Sequence, residues 1–284
     1  MSDLIEPLEL EKAVKENNKL VIVDVRWYLS DITKGRKEWE KLRIPGAIFL
    51  DMDHDLSDKT DTKSGRHPLP SPEAFAQTLT KNGIEKDSFI VVYDDMAGAI
   101  AARFWWMLRW IKGPDTNVLN GGFQAWKALG LPVESGPEKI LNSDSNPIIP
   151  EPQSQMFVSK IDVLNAINSQ NILIVDARDK ERYLGIIEPI DPIGGHIPGA
   201  INSPYKENLT NEEIPKFQSP KILKTHFEAK GITSGKQVIS YCGSGVTACH
   251  NILALELAGF TGAKLYPGSW SEWCQDTSLK IETE

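Results

Sequence analysis

Two kinds of apolar pattern alternate along the chain. Short β-branched runs, "LVIVDV" (20–25), "SFIVVYD" (88–94), "ILIVDA" (172–177) and "QVISYC" (237–242), have the length and composition of strands buried inside a parallel sheet. Longer stretches between and after them, such as "AARFWWMLRWI" (101–111) and "TACHNILALELAGF" (247–260), read as helices. The second is apolar nearly all round, which predicts a helix enclosed between a sheet and a neighbour. Strands alternating with helices predict α/β units with right-handed connections.

The pattern is written twice. "KLVIVDVR" (19–26) returns as "NILIVDAR" (171–178), and "RIPGAIFLD" (43–51) as "HIPGAINSP" (196–204). "SPEAFAQTLTKNGIEKDSFIVVYDD" (71–95) matches "SPKILKTHFEAKGITSGKQVISYCG" (219–243), and "GGFQAW" (121–126) matches "GSWSEW" (268–273). Four blocks in one order at a nearly constant offset make the chain a tandem duplication. The expected division is an N-terminal domain over 1–131, a linker over 132–157 rich in Pro, Ser and Asn, and a C-terminal domain over 158–284. Each domain is expected to be a parallel sheet flanked by helices.

Composition narrows the function classes. The chain has 284 residues, of which 40% are hydrophobic and 25% charged, as in globular proteins. A net charge of −8 argues against nucleic acid as a partner. No stretch approaches the ~20 apolar residues of a membrane span. The N-terminal "MSDLIEPLELEKAVKENNK" has no basic region followed by an apolar core, so no signal peptide is expected. Three cysteines, Cys242, Cys249 and Cys274, cannot build a disulfide framework, and a reducing, cytoplasmic setting is expected. The histidines lack ligand spacing, so no metal is expected. "DMDHDLSDKTDTKSGRHPLP" (51–70) is not an EF-hand loop. Counting from Asp51, Leu56 stands where glycine is needed and Thr62 where glutamate is needed.

Chemistry points to "YCGSGVTACH" (241–250). Cys242 ends a strand run and precedes a helix starting near Thr247, the place where reactive groups collect in an open α/β sheet. Gly243 and Gly245 let successive amides turn inward into an anion nest at a helix N-terminus, which favours a thiolate. A buried cysteine can also be mere packing. The repeat decides between the two readings. Asp94 holds the corresponding place in the first copy, and a carboxylate is a poor substitute for an apolar packing group. Cys242 is therefore read as a nucleophile, and the first copy as non-catalytic. A cysteine-dependent phosphatase would need an arginine six positions on to clamp phosphate oxygens, where Ala248 stands.

"CGSGVTA" on a tandem α/β repeat, with "GHIPGAIN" upstream and "GSWSEW" downstream, resembles the two-domain rhodanese sulfurtransferases over nearly the whole chain. The resemblance implies a ping-pong cycle without a cofactor. The loop cysteine takes a sulfane sulfur from 3-mercaptopyruvate or thiosulfate, becomes a persulfide, and passes the sulfur to cyanide or a thiol such as thioredoxin. Rhodanese-like domains that serve as binding modules usually lack the cysteine, and Cys242 argues against that role here. Gly243 and Ser244 resemble the mercaptopyruvate type, since thiosulfate enzymes carry basic residues there. Ser244 matches a family serine in a proton relay, whose companions map to Asp53 and His67. The cradle is Gly243, Gly245, Val246 and Thr247, and "RYLG" places Arg182 at the anionic donor. A second family arginine after "EP" is replaced by Ile190, a departure toward the thiosulfate type. The expected donor is 3-mercaptopyruvate, with thiosulfate as the alternative.

Other tempting residues read as structure. Asp176 and Arg178 with His196, and Asp24 with Arg26, are expected to tie a strand end to the next turn. Trp126, Trp270 and Trp273 are expected to anchor packing, and Cys249 and Cys274 to be buried thiols.

Overall fold

Where β-branched residues run consecutively, both faces of a strand must be covered, and helices from the intervening sequence supply that cover. The computed structural model of the chain describes residues 3–61, 63–137 and 146–284. These divide into two compact units: Met1–Asp58 with Leu69–Gln153 and Asn211–Lys216, and Lys59–Pro68 with Ser154–Thr210 and Phe217–Glu284.

In the first unit, β1 (Leu4–Ile5), β2 (Leu20–Asp24), β3 (Ile48–Phe49), β4 (Phe89–Tyr93) and β5 (Asp115–Leu119) form a parallel sheet of order β1-β5-β4-β2-β3. Its helices are α1 (Pro7–Glu16), α2 (Lys34–Lys41), α3 (Pro72–Lys81), α4 (Ala101–Trp110) and α5 (Gly122–Ala128). In the second unit, β6 (Ile172–Asp176), β7 (Ile201–Asn202), β8 (Gln237–Tyr241) and β9 (Lys264–Leu265) form a parallel sheet of order β7-β6-β8-β9. Its helices are α6 (Lys160–Ala166), α7 (Lys180–Tyr183), α8 (Pro220–Ala229), α9 (Thr247–Leu257) and α10 (Ser269–Trp273). α3 starts where Ser71 accepts from the Ala74 amide at 3.1 Å and Pro72 opens the first turn; Ser219 and Pro220 stand at the same point of α8. On α4 every residue but Arg109 is buried, and on α9 Ala248 to Leu255 are all buried, as the unbroken apolar stretches predict. No described helix is long and apolar enough to cross a membrane.

The duplication is visible bond by bond. Asp24 is in register with Tyr93 across β2 and β4, as Asp176 is with Tyr241 across β6 and β8. Tyr93 Oη accepts from the Ile44 amide at 3.3 Å, and Tyr241 Oη from the Ile197 amide at 3.2 Å. The Arg26 guanidinium pairs with Asp24 at 2.7 Å and donates to Leu42 O, while Arg178 pairs with Asp176 at 2.7 Å and donates to Gly195 O. Arg26 lies over the Phe123 ring and Arg178 over Trp270, each 4.6 Å from the ring centre. These pairs fasten the end of the central strand to the following turn. His196 is tied elsewhere than expected: its Nδ1 bonds Tyr183 O, at the end of α7 rather than at the strand end, at 2.8 Å. Trp126, Trp270 and Trp273 are buried in the cores of their own units.

The compact units differ from continuous copies of the sequence. Lys59–Pro68 counts with the second unit because its polar groups are satisfied there: Arg66 N donates to Ser271 Oγ at 2.9 Å, and its guanidinium pairs with Asp191. Asn211–Lys216 counts with the first, where Lys216 meets Glu6 at 2.7 Å. Of the 132–157 linker segment, residues 138–145 lie outside the described residues. Its later part runs along the first unit, with Glu151 N donating to Ile111 O and Gln153 N to Trp110 O.

Candidate active site

Cys242 is the residue after β8 and is 2% exposed. The loop it opens is pinned from below by α10. Trp270 N donates to Cys242 O at 3.0 Å, Ser271 N to Gly243 O at 2.9 Å, and the Cys242 amide donates to Ser269 Oγ at 3.1 Å. Gly245 takes φ +77°, turning the chain toward α9, which Thr247 begins. Behind it, the Cys249 amide donates to Val246 O and the Cys249 thiol to Gly245 O at 3.4 Å.

The first unit shows what a loop of this kind does to an anion. Asp94 follows β4 as Cys242 follows β8, and is buried. Its carboxyl accepts from four amides: Met96 and Gly98 on one oxygen, Ile100 and Ala101 on the other, at 2.7–2.9 Å. Burial pushes the Asp94 carboxyl above its ordinary range while the four amides pull against that shift. Ala97 at φ +54° occupies the turn position that Gly245 occupies in the second unit. By the repeat, the matching amides beside Cys242 belong to Ser244, Val246, Ala248 and Cys249, the last of which is engaged in α9.

Two sequence-predicted site residues meet. Ser244 Oγ and His67 Nδ1 share a 2.7 Å hydrogen bond across 177 residues of chain, and both side chains are buried. Asp53 belongs to the first unit, where its carboxylate accepts from Trp27 Nε1 at 2.9 Å. Arg182, on α7, is gripped by Glu188 through Nε and Nη2 at 2.7–3.2 Å and by Asp191 at 3.1 Å. Burial works to raise the Glu188 carboxyl. The Arg182 hydrogen bonds and the Asp191 and Ile190 amides outweigh it and hold the carboxyl below its usual range. The Arg182 guanidinium lies over the loop: a Cβ on Gly243 would stand 3.5 Å from its Nη1.

The structure adds residues that the sequence reading passed over. Arg66 reaches the same spot as Arg182, its Nη2 lying 3.0 Å from where a Gly243 Cβ would be. Ser269, which accepts from the cysteine amide, is held at φ +53°, a costly conformation for a residue with a side chain. The repeat carried a signal for it. The first copy has Gly122 at this position with φ +58°, so glycine gives way to serine in the same copy that gains the cysteine. The other thiols have no such setting, and burial pushes the Cys274 thiol up to about 11.

Comparison with known proteins matches residues 6–129 and 159–276 to the family described as Rhodanese-like domain. The chain belongs to the rhodanese-like domain family. This two-copy rhodanese chain is 39% identical over 269 residues to the "Probable 3-mercaptopyruvate sulfurtransferase" of Pseudomonas aeruginosa, covering 93% of this chain and 92% of that protein. It is 35% identical over 277 residues to the thiosulfate sulfurtransferase of Bos taurus, with 93% and 88% covered. The crystal structure of SseA from Escherichia coli, a 3-mercaptopyruvate sulfotransferase, superposes with a TM-score of 0.82 at 30% identity, covering 96% of this rhodanese chain and all of that one.

Proposed function

We propose that this protein is a sulfurtransferase that carries sulfur as a persulfide on Cys242 and takes it from 3-mercaptopyruvate. The observation that supports the reading best is the paired Ser244 and His67 hydroxyl and imidazole beside a glycine-lined cysteine loop. The Cys242 thiolate attacks the donor sulfur, forming the S–S bond as the C–S bond breaks. The bonding pair passes to the donor carbon, which is reduced to the enolate of pyruvate, and the proton of the donor thiol reaches that carbon. His67 and Ser244 are the groups that move this proton. The product pair is pyruvate and a Cys242 persulfide. An acceptor thiolate or cyanide then attacks the outer sulfur and returns Cys242 as thiolate. Gly243, Gly245, Val246 and Thr247 supply the cradle, and Arg182 binds the donor's anionic head. Asp53 is the third member of this relay, as the resemblance implies. Acceptors of the thioredoxin or cyanide type and a cytoplasmic setting complete the proposal, in keeping with three cysteines that stand outside any disulfide.

Ile190 favours a second reading, with thiosulfate as main donor and sulfite as leaving group, because it removes a positive charge expected beside "EP". Steady-state kcat/KM for both donors on one preparation separates the two. The expected result is a higher value for 3-mercaptopyruvate, and a thiosulfate value equal or higher overturns the donor assignment. A preparation that gains no sulfur from either donor overturns the sulfurtransferase reading itself.

A further inference from the structure

Segment 185–195 leaves the end of α7 and returns to it. The Arg182 carbonyl oxygen accepts from Gly185 N at 3.1 Å and from Gly195 N at 3.3 Å, while the Arg182 side chain is bonded within the segment to Glu188 and Asp191. The two ends meet at a neck of glycines. A Cβ on Gly194 would stand 3.0 Å from Gly185 Cα, and one on Gly185 would stand 3.1 Å from Gly195 N.

Residues 279–283 close over this neck. Leu279 and Ile281 pack against the core of the second unit, and Trp273 Nε1 donates to Lys280 O at 3.1 Å. His196 N donates to Glu282 O at 2.8 Å and Glu282 N to His196 O at 3.0 Å, an antiparallel bridge beside the neck. The fit leaves Gly195, at φ +117°, no room for a side chain: its Cβ would come within 2.6 Å of both Glu282 O and Ile281 Cγ2.

The Glu282 side chain makes contacts that burial does not force on it. It is 53% exposed, yet Oε2 accepts from Gly199 N at 2.9 Å and faces His196 Nε2 at 3.8 Å. The buried His196 ring lies flat on Tyr183, 3.7 Å between ring centres, and its Nδ1 bonds the Tyr183 carbonyl oxygen at 2.8 Å. A carbonyl oxygen only accepts, so Nδ1 carries a proton. One imidazole thus joins the Glu282 carboxylate to the residue next to Arg182. The first copy has the same bridge with a different outcome. Arg43 and Glu134 exchange backbone bonds at 2.9 Å, and the Arg43 guanidinium meets the Glu134 carboxylate at 3.0 Å. Its further bonds run to Gly136 O and Pro137 O, back into the segment that carries the glutamate. In the second copy histidine replaces that arginine and reaches forward to α7 instead.

We infer that Glu282, with the segment around it, is a positioning residue for the donor site: through His196 it fixes the neck of 185–195 and so holds the Arg182 guanidinium over Gly243. This rests on the sulfurtransferase reading for what Arg182 binds.

The test uses the full-length protein. Glu282→Ala is expected to raise KM for mercaptopyruvate about 3- to 10-fold, the scale of one lost hydrogen bond, with kcat changed less than about twofold. Glu282→Gln, which keeps an acceptor for Gly199 N and loses the charge facing His196, is expected to fall between wild type and Glu282→Ala. Amide hydrogen exchange reads the same effect without turnover. Peptides spanning 183–195 are expected to exchange faster in Glu282→Ala, and those of β6 and β8 at the wild-type rate. Glu134→Ala removes the matching bridge from the first unit and is expected to leave donor KM at the wild-type value. An unchanged KM in both Glu282 variants of a protein that still gains sulfur overturns the inference and leaves the activity standing. An equal KM rise in Glu134→Ala, or exchange that quickens across the whole second unit, overturns it too, since either marks a general loss of stability. Faster exchange confined to 183–195 in a protein that gains no sulfur from either donor does the reverse: the clasp stands and the sulfurtransferase reading falls.

Discussion

Intact-protein mass spectrometry after donor treatment is expected to show the wild-type chain heavier by one sulfur atom and Cys242→Ser unchanged. The substitution is nearly isosteric at a site pinned on its backbone side by Trp270 N and Ser269 Oγ, so the fold has no reason to move. What changes is the atom that attacks: a serine hydroxyl stays protonated at neutral pH and offers no thiolate. Loss of a nucleophile lowers turnover on the order of 10⁴–10⁶-fold. The remaining thiols give no bypass. Cys274 is pushed up to about 11 by burial, and Cys249 donates its proton to Gly245 O from within α9. Sulfur found on Cys249 or Cys274 in the variant, or retained turnover, would move the chemistry away from the loop.

The second large effect is on stability. Arg178→Met leaves the Asp176 carboxylate with no cation in a site where both side chains are essentially inaccessible. Removing one partner of a buried, hydrogen-bonded pair costs about 3–5 kcal/mol, far more than the net worth of the pair, because the orphaned charge keeps its desolvation penalty. The same change removes the hydrogen bond to Gly195 O and the contact with Glu188, and through Glu188 the grip on Arg182. Urea unfolding is expected to show the loss in full, and Asp176→Asn added to Arg178→Met is expected to recover part of it by neutralising the stranded carboxylate. Arg26→Met is the control in the first unit, where the Asp24 pair has the same 2.7 Å contact. A loss below about 1 kcal/mol for Arg178→Met would mean that Asp176 is reached by water.

The part of the molecule legible without coordinates is the part whose information is local. Four β-branched runs became β2, β4, β6 and β8, since a buried parallel strand needs nothing but a short apolar segment between turns. The paired "VDVR" and "VDAR" blocks became matching salt bridges two residues apart, a distance at which sequence spacing is geometry. "YCGSGVT" announced a turn at a strand end, and the first copy's Asp94 spoke against a mere packing role for the cysteine. That four amides converge on the Asp94 carboxyl was shown only by the structure.

Arg66 and Ser269 belong to the other class. Nothing periodic marks "SGRHPLP", and a charged loop inside the first copy is as compatible with solvent as with a site. Its place was decided by contacts spanning 177 and 205 residues of chain, His67 with Ser244 and Arg66 with Ser271. The amino-acid sequence by itself determined the duplication, the strand ends and the place of Cys242 at one of them, because hydrophobic period, turn residues and repeat offset act within a few residues of where they are read. Only the tertiary structure decided that Arg66 joins Arg182 above Gly243 and that Ser269 holds the cysteine amide, because such meetings are set by packing between segments with no shared local pattern.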